Sequence, residues 1–274
     1  MDVVHPRNVA YKLTYWNFMN TLTCIETYID KDRNCYGSFL IEPLELGQGI
    51  TLGNALRRTL LSDLTGVAIT GVRINNLKHE FSVVEGLRED ILEVLLNLKE
   101  VIFKASFHSN QDAENLKAKG YLKVQGPLVV TAGMFNLPKN TLKIINPHQY
   151  ICSIVDNSEL YLEIDIEKGK GYRLSEDNRK NKIEKKVSAA KPSMLFIDSI
   201  FMPVKKVNYK IKLIHDSKGN IKESLQLEVT TNGSITPKRS IQEALKILMH
   251  LFYSLFVNPD FVSISLQLAK KIYK

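Results

Sequence analysis

Two observations predict an α+β fold. Strand-like and helix-like segments are interspersed without the regular spacing of βαβ units. The chain also changes character twice, at Thr65–Gly66 and across residues 167–192. These breaks set a middle segment apart, and it reads as an insertion into a domain that the two chain ends build together. The 274 residues give length enough for one large domain or two small ones.

The elements follow in order. Residues 36–44, YGSFLIEPL, read as a strand ending at Pro43. Gly47 and Gly49 turn the chain, and TLGNALRRTLLSDL then shows helical spacing. Thr51 is the expected N-cap, and Gly66 follows the last periodic residue, Leu64. GVAITGVRINNL alternates like a strand, and VEGLREDILEVLLNLKE places Leu87, Ile91, Val94, Leu95 and Leu98 on one helical stripe. VIFKASF and GYLKVQGPLVV return to strand character. From 167 to 192 large apolar residues are few and charges many, so a solvated loop or linker is expected. LFIDSIFMPVKKVNYKIKLI and SLQLEVT are strand-like about the turn signal SKGN. TNGSITP then leads into a last helix, PKRSIQEALKILMHLFYSLF. Thr236 is its N-cap and Pro237 its first residue, where the missing N–H is no loss.

Composition excludes several classes. A hydrophobic share of 44% and a charged share of 24% are ordinary for a globular chain. No apolar run reaches the roughly 18–20 residues of a membrane span, and MDVVHPRNVAYKLTYW lacks an apolar signal core. A soluble, intracellular protein is expected. Cys24, Cys35 and Cys152 are odd in number and far apart, and the six histidines are scattered, so neither a disulfide framework nor a metal site is supported. The net charge of +8 comes mostly from lysine, 28 against 9 arginines, which raises a nucleic-acid reading only slightly.

The glycine-rich stretch before the first helix invites a phosphate-cradle reading. Its spacing fails the test. Gly47, Gly49 and Gly53 give GxGxxxG rather than GxGxxG, and no Gly-Lys-Ser/Thr follows. The helix itself is more informative. At about 100° per residue, Leu52, Ala55, Leu56, Thr59 and Leu60 share a core arc, with Asn54, Arg57, Arg58 and Leu61 opposite. One reading makes the two arginines a solubilising face. The other makes Leu61 an apolar anchor framed by guanidinium groups, the composition of a protein interface. The last helix adds an independent clue, because its apolar residues, from Ile241 to Phe256, cover more than half the circumference. A helix on one sheet needs a stripe of only about 100°. The excess implies burial from two directions, in a central helix or in one shared with another subunit, and in a chain this small the second option is the more attractive.

On these residues the chain resembles the RNA polymerase alpha subunits of the bacterial and plastid type. TLGNALRRTLL, HEFSVVEGLREDILEVLLNLK and TNGSITP match family signatures in the right order. VTAGMFNLP, INPHQYICSI, KGKGY and MPVKKVNYKI add weaker similarity between them. The resemblance implies a discontinuous dimerisation domain, residues 1–65 and 192–274, built as an antiparallel sheet plus two long helices. An α+β domain, residues 66–191, is inserted into it and ends in the basic loop. The two helices, near 51–64 and 237–256, would pack on a second alpha chain, with Leu248, Phe252, Leu255 and Phe256 at the dimer interface. The resemblance further implies that Arg58 holds the beta subunit, with Leu61, Asn54, Arg57 and His79 on the same side. Glu93 and Lys99 would lie toward beta-prime.

A non-catalytic scaffold subunit of a DNA-dependent RNA polymerase is therefore expected. Nucleotidyl transfer and the catalytic metal belong to another subunit, and no cofactor is expected on this chain. Its partners would be a second alpha subunit and the beta and beta-prime subunits, with sigma factor met indirectly, DNA only through the complex, and no membrane. Bacterial members continue into a small DNA-binding domain, for which eighteen residues after Phe256 leave no room. Direct DNA recognition is accordingly not expected. YGSFLIEPL, PVKKVNYKI and the lysine-rich composition resemble plastid members, so a plastid location is expected, with the bacterial cytoplasm as alternative. A free-standing basic nucleic-acid binder would need aromatic residues among the charges of 168–191, and Tyr172 stands alone there.

Overall fold

The computed structural model describes residues 21–31, 33–75, 77, 79–105, 116–138, 141–184, 194–216 and 219–257. They form a mixed, sheet-rich α+β protein with two hydrophobic cores.

The first sheet joins the two ends of the chain. Strands β1 (Thr21–Ile29) and β2 (Cys35–Leu44) form a hairpin that precedes helix α1 (Gln48–Ser62). The second core comes next along the sequence. Strand β3 (Thr65–Ile74), helix α2 (Ile91–Lys99), β4 (Phe103–Ala105), β5 (Lys117–Gln125), β6 (Leu128–Thr131), β7 (Leu142–Ile144), β8 (Tyr150–Ile154) and β9 (Glu159–Lys170) carry it. After β10 (Tyr172–Arg173), helix α3 (Ser175–Glu184), β11 (Leu195–Phe196) and β12 (Ser199–Ile200), the chain returns through β13 (Val204–His215) and β14 (Ile221–Thr231) to helix α4 (Pro237–Phe256).

All strand pairing among the described residues is antiparallel. The first sheet has the order β1-β2-β14-β13, so the N-terminal hairpin and the C-terminal hairpin share one sheet. Alternation along β2 and β14 turns Phe39, Ile41, Leu225, Leu227 and Val229 inward, where α1 and α4 cover them with Leu56, Leu60, Ile241 and Ala244. The second sheet has the order β11-β3-β9-β5, and α2 lays Ile91, Val94, Leu95 and Leu98 into its core. The chain past residue 191 still pairs with this sheet, Leu195 opposite Val72 and Phe196 opposite Gly71, and β12 pairs with β10.

Four expectations need correction. Helix α1 begins at Gln48 rather than after Thr51, because Gly47 takes φ +85° as N-cap while Thr51 Oγ1 bonds back to the Gly47 carbonyl. It ends at Ser62, so Gly66 lies inside β3 and stops nothing. Leu87 stands outside α2, whose N-cap is Asp90, and bridges to Ile154 instead. Over its described residues, 167–184, the stretch expected as a solvated loop or linker is the end of β9, β10 and helix α3. That helix has almost no apolar face, and one buried polar residue ties it down. Asn178 Nδ2 donates to the Ile197 carbonyl at 2.7 Å and to Ser199 Oγ at 2.9 Å. Arg173 joins it, donating to Glu167 and Asn178 with its guanidinium 4.8 Å from the Phe201 ring. Lys180 is exposed on α3, while Lys185 and Lys186 lie outside the described residues.

Cysteine chemistry is settled by burial. Burial pushes the Cys152 thiol up to about 12, with the negative charge of Glu89 adding to the rise, whereas Cys24 is exposed. The Cys152 thiol stays protonated and shielded at neutral pH. Alkylation of the native protein near pH 8 should label Cys24 and leave Cys152 unmodified until denaturant is added. Peptide mass mapping checks this, and equal native labelling of the two would contradict it.

Candidate functional site

Three exposed surfaces collect the candidate residues. The first is the outer side of α1. Its inner side buries Gly49, Gly53, Leu56, Thr59 and Leu60, which leaves Asn54, Arg57 and Arg58 exposed. Asn54 and Arg57 are already used inside the chain. Tyr209 Oη donates to Asn54 Oδ1 at 2.7 Å, and Arg57 Nη1 donates to the Val207 carbonyl. The Arg58 guanidinium has no partner among the described residues. Leu61, expected outward beside it, is half-buried and packs against the first core. The helix ends one residue later and the chain turns back at Asp63, so Leu61 faces the protein more than a uniform wheel predicts.

The second surface surrounds α2. His79 is exposed, its Nδ1 3.1 Å from Ser82 Oγ. The loop after it carries Phe81 and Val83, 79% and 84% exposed, which sequence reasoning did not single out. Their signal was present as large apolar residues in a segment without periodicity. Glu93 is exposed with Leu92 and Leu96 on the outer face of α2. It helps line an open recess of about 520 Å³ together with Arg88, Glu89, Leu96, Asn97 and Tyr150. Glu89 braces the recess, accepting the Ser153 N–H at 2.7 Å and the Tyr150 hydroxyl. Burial and that bond to Glu89 both raise the Tyr150 pKa.

Lys99, expected toward beta-prime, is engaged within the chain. Its ammonium lies 3.6 Å from Asp198 Oδ2, 3.5 Å from Tyr172 Oη and 5.3 Å above the Tyr172 ring. Asp198 also accepts the Tyr172 hydroxyl at 2.7 Å and the Ser175 N–H at the start of α3 at 2.9 Å. The tyrosine bond, then the Ser175 amide and the Lys99 charge, hold this carboxyl below its ordinary value. A depressed carboxylate contributes stability above its unfolded pKa and loses it as the pH falls through the folded one. The α2–α3 tie is thus fully present at neutral pH. Neither Asp198 nor Tyr172 carries a sequence signal for this role.

The third surface is the far half of α4. Its first turns bury Pro237, Ser240, Ile241 and Ala244, and Leu245, Ile247 and Leu248 are partly buried on the same core. From Met249 onward nothing described in this chain covers the helix. Phe252 is 61% exposed, Leu255 60% and Phe256 75%. The second direction of burial implied by the wide apolar stripe is not supplied by this chain's described residues.

Among the described residues, no three His, Cys, Asp or Glu side chains converge as a metal site, and no helix is long and apolar enough to cross a membrane.

Comparison with known proteins matches the same segments. Residues 72–202 match the RNA polymerase Rpb3/RpoA insert domain, a span that includes α2, α3, β11 and β12. DNA-directed RNA polymerase subunit alpha of Porphyra purpurea is 47% identical over 243 residues, covering 89% of this chain and 73% of that protein. The subunit alpha of Cyanophora paradoxa is 44% identical over 231 residues, 84% of this chain and 68% of its own length. That of Trichormus variabilis is 45% identical over 231 residues, 84% and 69%. With the two-ended sheet, the inserted domain and identity at this level over most of both chains, this chain belongs to the DNA-directed RNA polymerase alpha subunit family.

Proposed function

We propose that the chain dimerises through the far half of α4 and that the dimer holds the beta and beta-prime subunits of a DNA-dependent RNA polymerase during assembly. The observation that carries this reading is the exposed apolar end of α4, placed on a domain whose other helix presents an uncommitted arginine. Leu248, Phe252, Leu255 and Phe256 supply the self-contact. Arg58 is the main contact to beta, with Asn54 and Arg57 beside it and His79 on the neighbouring loop. Glu93 and the outer face of α2 face beta-prime. Lys99 contributes there by holding α2 to α3 rather than by a free charge. RNA synthesis from NTPs, and the metal it requires, belong to the large subunits, and DNA and sigma factor are met through the assembled enzyme. The relatives are mostly algal with one cyanobacterial, which supports a plastid location.

The test is a tagged copy of this chain purified from the plastid. Beta-sized and beta-prime-sized polymerase subunits should co-purify with it, and NTP-dependent RNA synthesis should follow the eluted complex. Recovery of the chain without large subunits would refute the scaffold role.

A further inference from the structure

Helix α1 is pinned along one side to the edge strand of the first sheet. Residues 49, 53 and 57 lie about one helical turn apart and face Ile211, Tyr209 and Val207, which share one side of β13. A Cβ on Gly49 would stand 3.4 Å from the Ile211 side chain, and one on Gly53 2.8 Å from the Tyr209 ring. Arg57 completes the row through its bond to the Val207 carbonyl. Glycine at two of these three positions permits close approach, but it leaves no side chains there to lock the register of helix against strand.

The Asn54–Tyr209 and Arg57–Val207 bonds hold the middle of the helix against β13, and the register of its first turn is supplied at the helix start. Glu223 of β14 receives the Gly47 N–H on Oε1 at 3.0 Å and the Gly49 N–H on Oε2 at 2.8 Å. These amides belong to the first turn, which has no helical acceptors for them, and the positive end of the helix dipole faces the carboxylate. A Cβ on Gly49 would lie 2.7 Å from Glu223 Oε2, so a side chain there would push the carboxylate off the helix start. Beside this contact Lys222 pairs with Glu45, and the Gln48 side chain accepts the Glu45 N–H at 3.0 Å. The glycine loop does bind an anion, and the anion is the protein's own.

We propose that Glu223 is a positioning residue for the large-subunit contact: its carboxylate sets the register and rotation of α1 and so fixes where Arg58 stands. This rests on the reading of Arg58 as the beta contact. A screw-like slip of α1 by one of its own residues would turn Arg58 by about 100° and move it by about 1.5 Å. Leu56 and Leu60 hold the helix on the sheet, but the row facing β13 lacks side-chain teeth at its first two positions.

Chemical rescue tests this. Full-length Glu223→Ala and Glu223→Gln are compared with wild type for retention of tagged beta, mass by light scattering, and melting temperature. Each is measured in sodium chloride and in sodium formate at equal ionic strength. Glu223→Ala should retain beta about tenfold less well, the scale of a lost charged cap, while its mass stays that of wild type. Formate, a carboxylate small enough for the vacated space, should restore retention where chloride does not. Glu223→Gln fills the space without the charge and should lose retention without rescue. Wild-type retention by Glu223→Ala, a loss that formate does not restore, or a loss in both variants that only follows their melting would each overturn the proposal. Arg58→Ala run alongside separates the two readings. If it too keeps beta, the large-subunit assignment fails. If it loses beta while Glu223→Ala does not, only the positioning role fails.

Discussion

Replacing Phe252 with Asp should convert the dimer to monomer or aggregate, seen as a halved or heterogeneous mass by light scattering. Phe252 is 61% exposed in the single chain and stands among Met249, Leu255 and Phe256, which are also exposed. Each such side chain contributes about 1.5–3 kcal/mol when a second surface covers it. The aspartate would bring an unpaired charge into that surface, a change of roughly 3–5 kcal/mol, or about two to four decades in dissociation constant. The fold of the single chain should tolerate the change, because α4 is anchored by Ile241 and Ala244 two turns earlier. Circular dichroism should therefore match wild type. A wild-type chain that is already monomeric at micromolar concentration would refute the interface.

The legible parts of the fold were those that local chemistry fixes. Strand-like composition gave β2 and β14, the stripe Ile91, Val94, Leu95 and Leu98 gave α2, and Thr236 with Pro237 gave the start of α4. The illegible parts depend on residues far along the chain. The start of α1 is set by a carboxylate 174 residues from Gly49, so no reading of the loop alone recovers it. Helix α3 has no apolar stripe to betray it, and its buried anchor Asn178 finds its acceptors on the segment around Ile197 and Ser199. The candidate site divides the same way. The exposure of Arg58 and the apolar excess of α4 follow from helical periodicity. The engagement of Arg57 by Val207 and of Lys99 by Asp198 does not, because each needs a partner that only the tertiary fold brings near.

That difference between neighbours makes the arginine pair the most discriminating place to test the scaffold role. Arg58→Ala should leave the alpha dimer folded, since the side chain lies off the core arc and its guanidinium has no partner among the described residues. It should weaken the hold on beta by about 2 kcal/mol, the scale of a lost interface arginine, or roughly thirtyfold. Arg57→Ala should reverse the pattern. Its guanidinium is bonded to the Val207 carbonyl, so truncation should lower the melting temperature of the chain and reduce beta binding less. The pair is read by measuring beta recovery and melting temperature on each variant. Loss of beta at an unchanged melting temperature for Arg58→Ala, with the opposite order for Arg57→Ala, is the expected result. Equal beta recovery for wild type and Arg58→Ala would remove Arg58 from the interface. Recovery lost only in step with unfolding would make it a structural residue of α1.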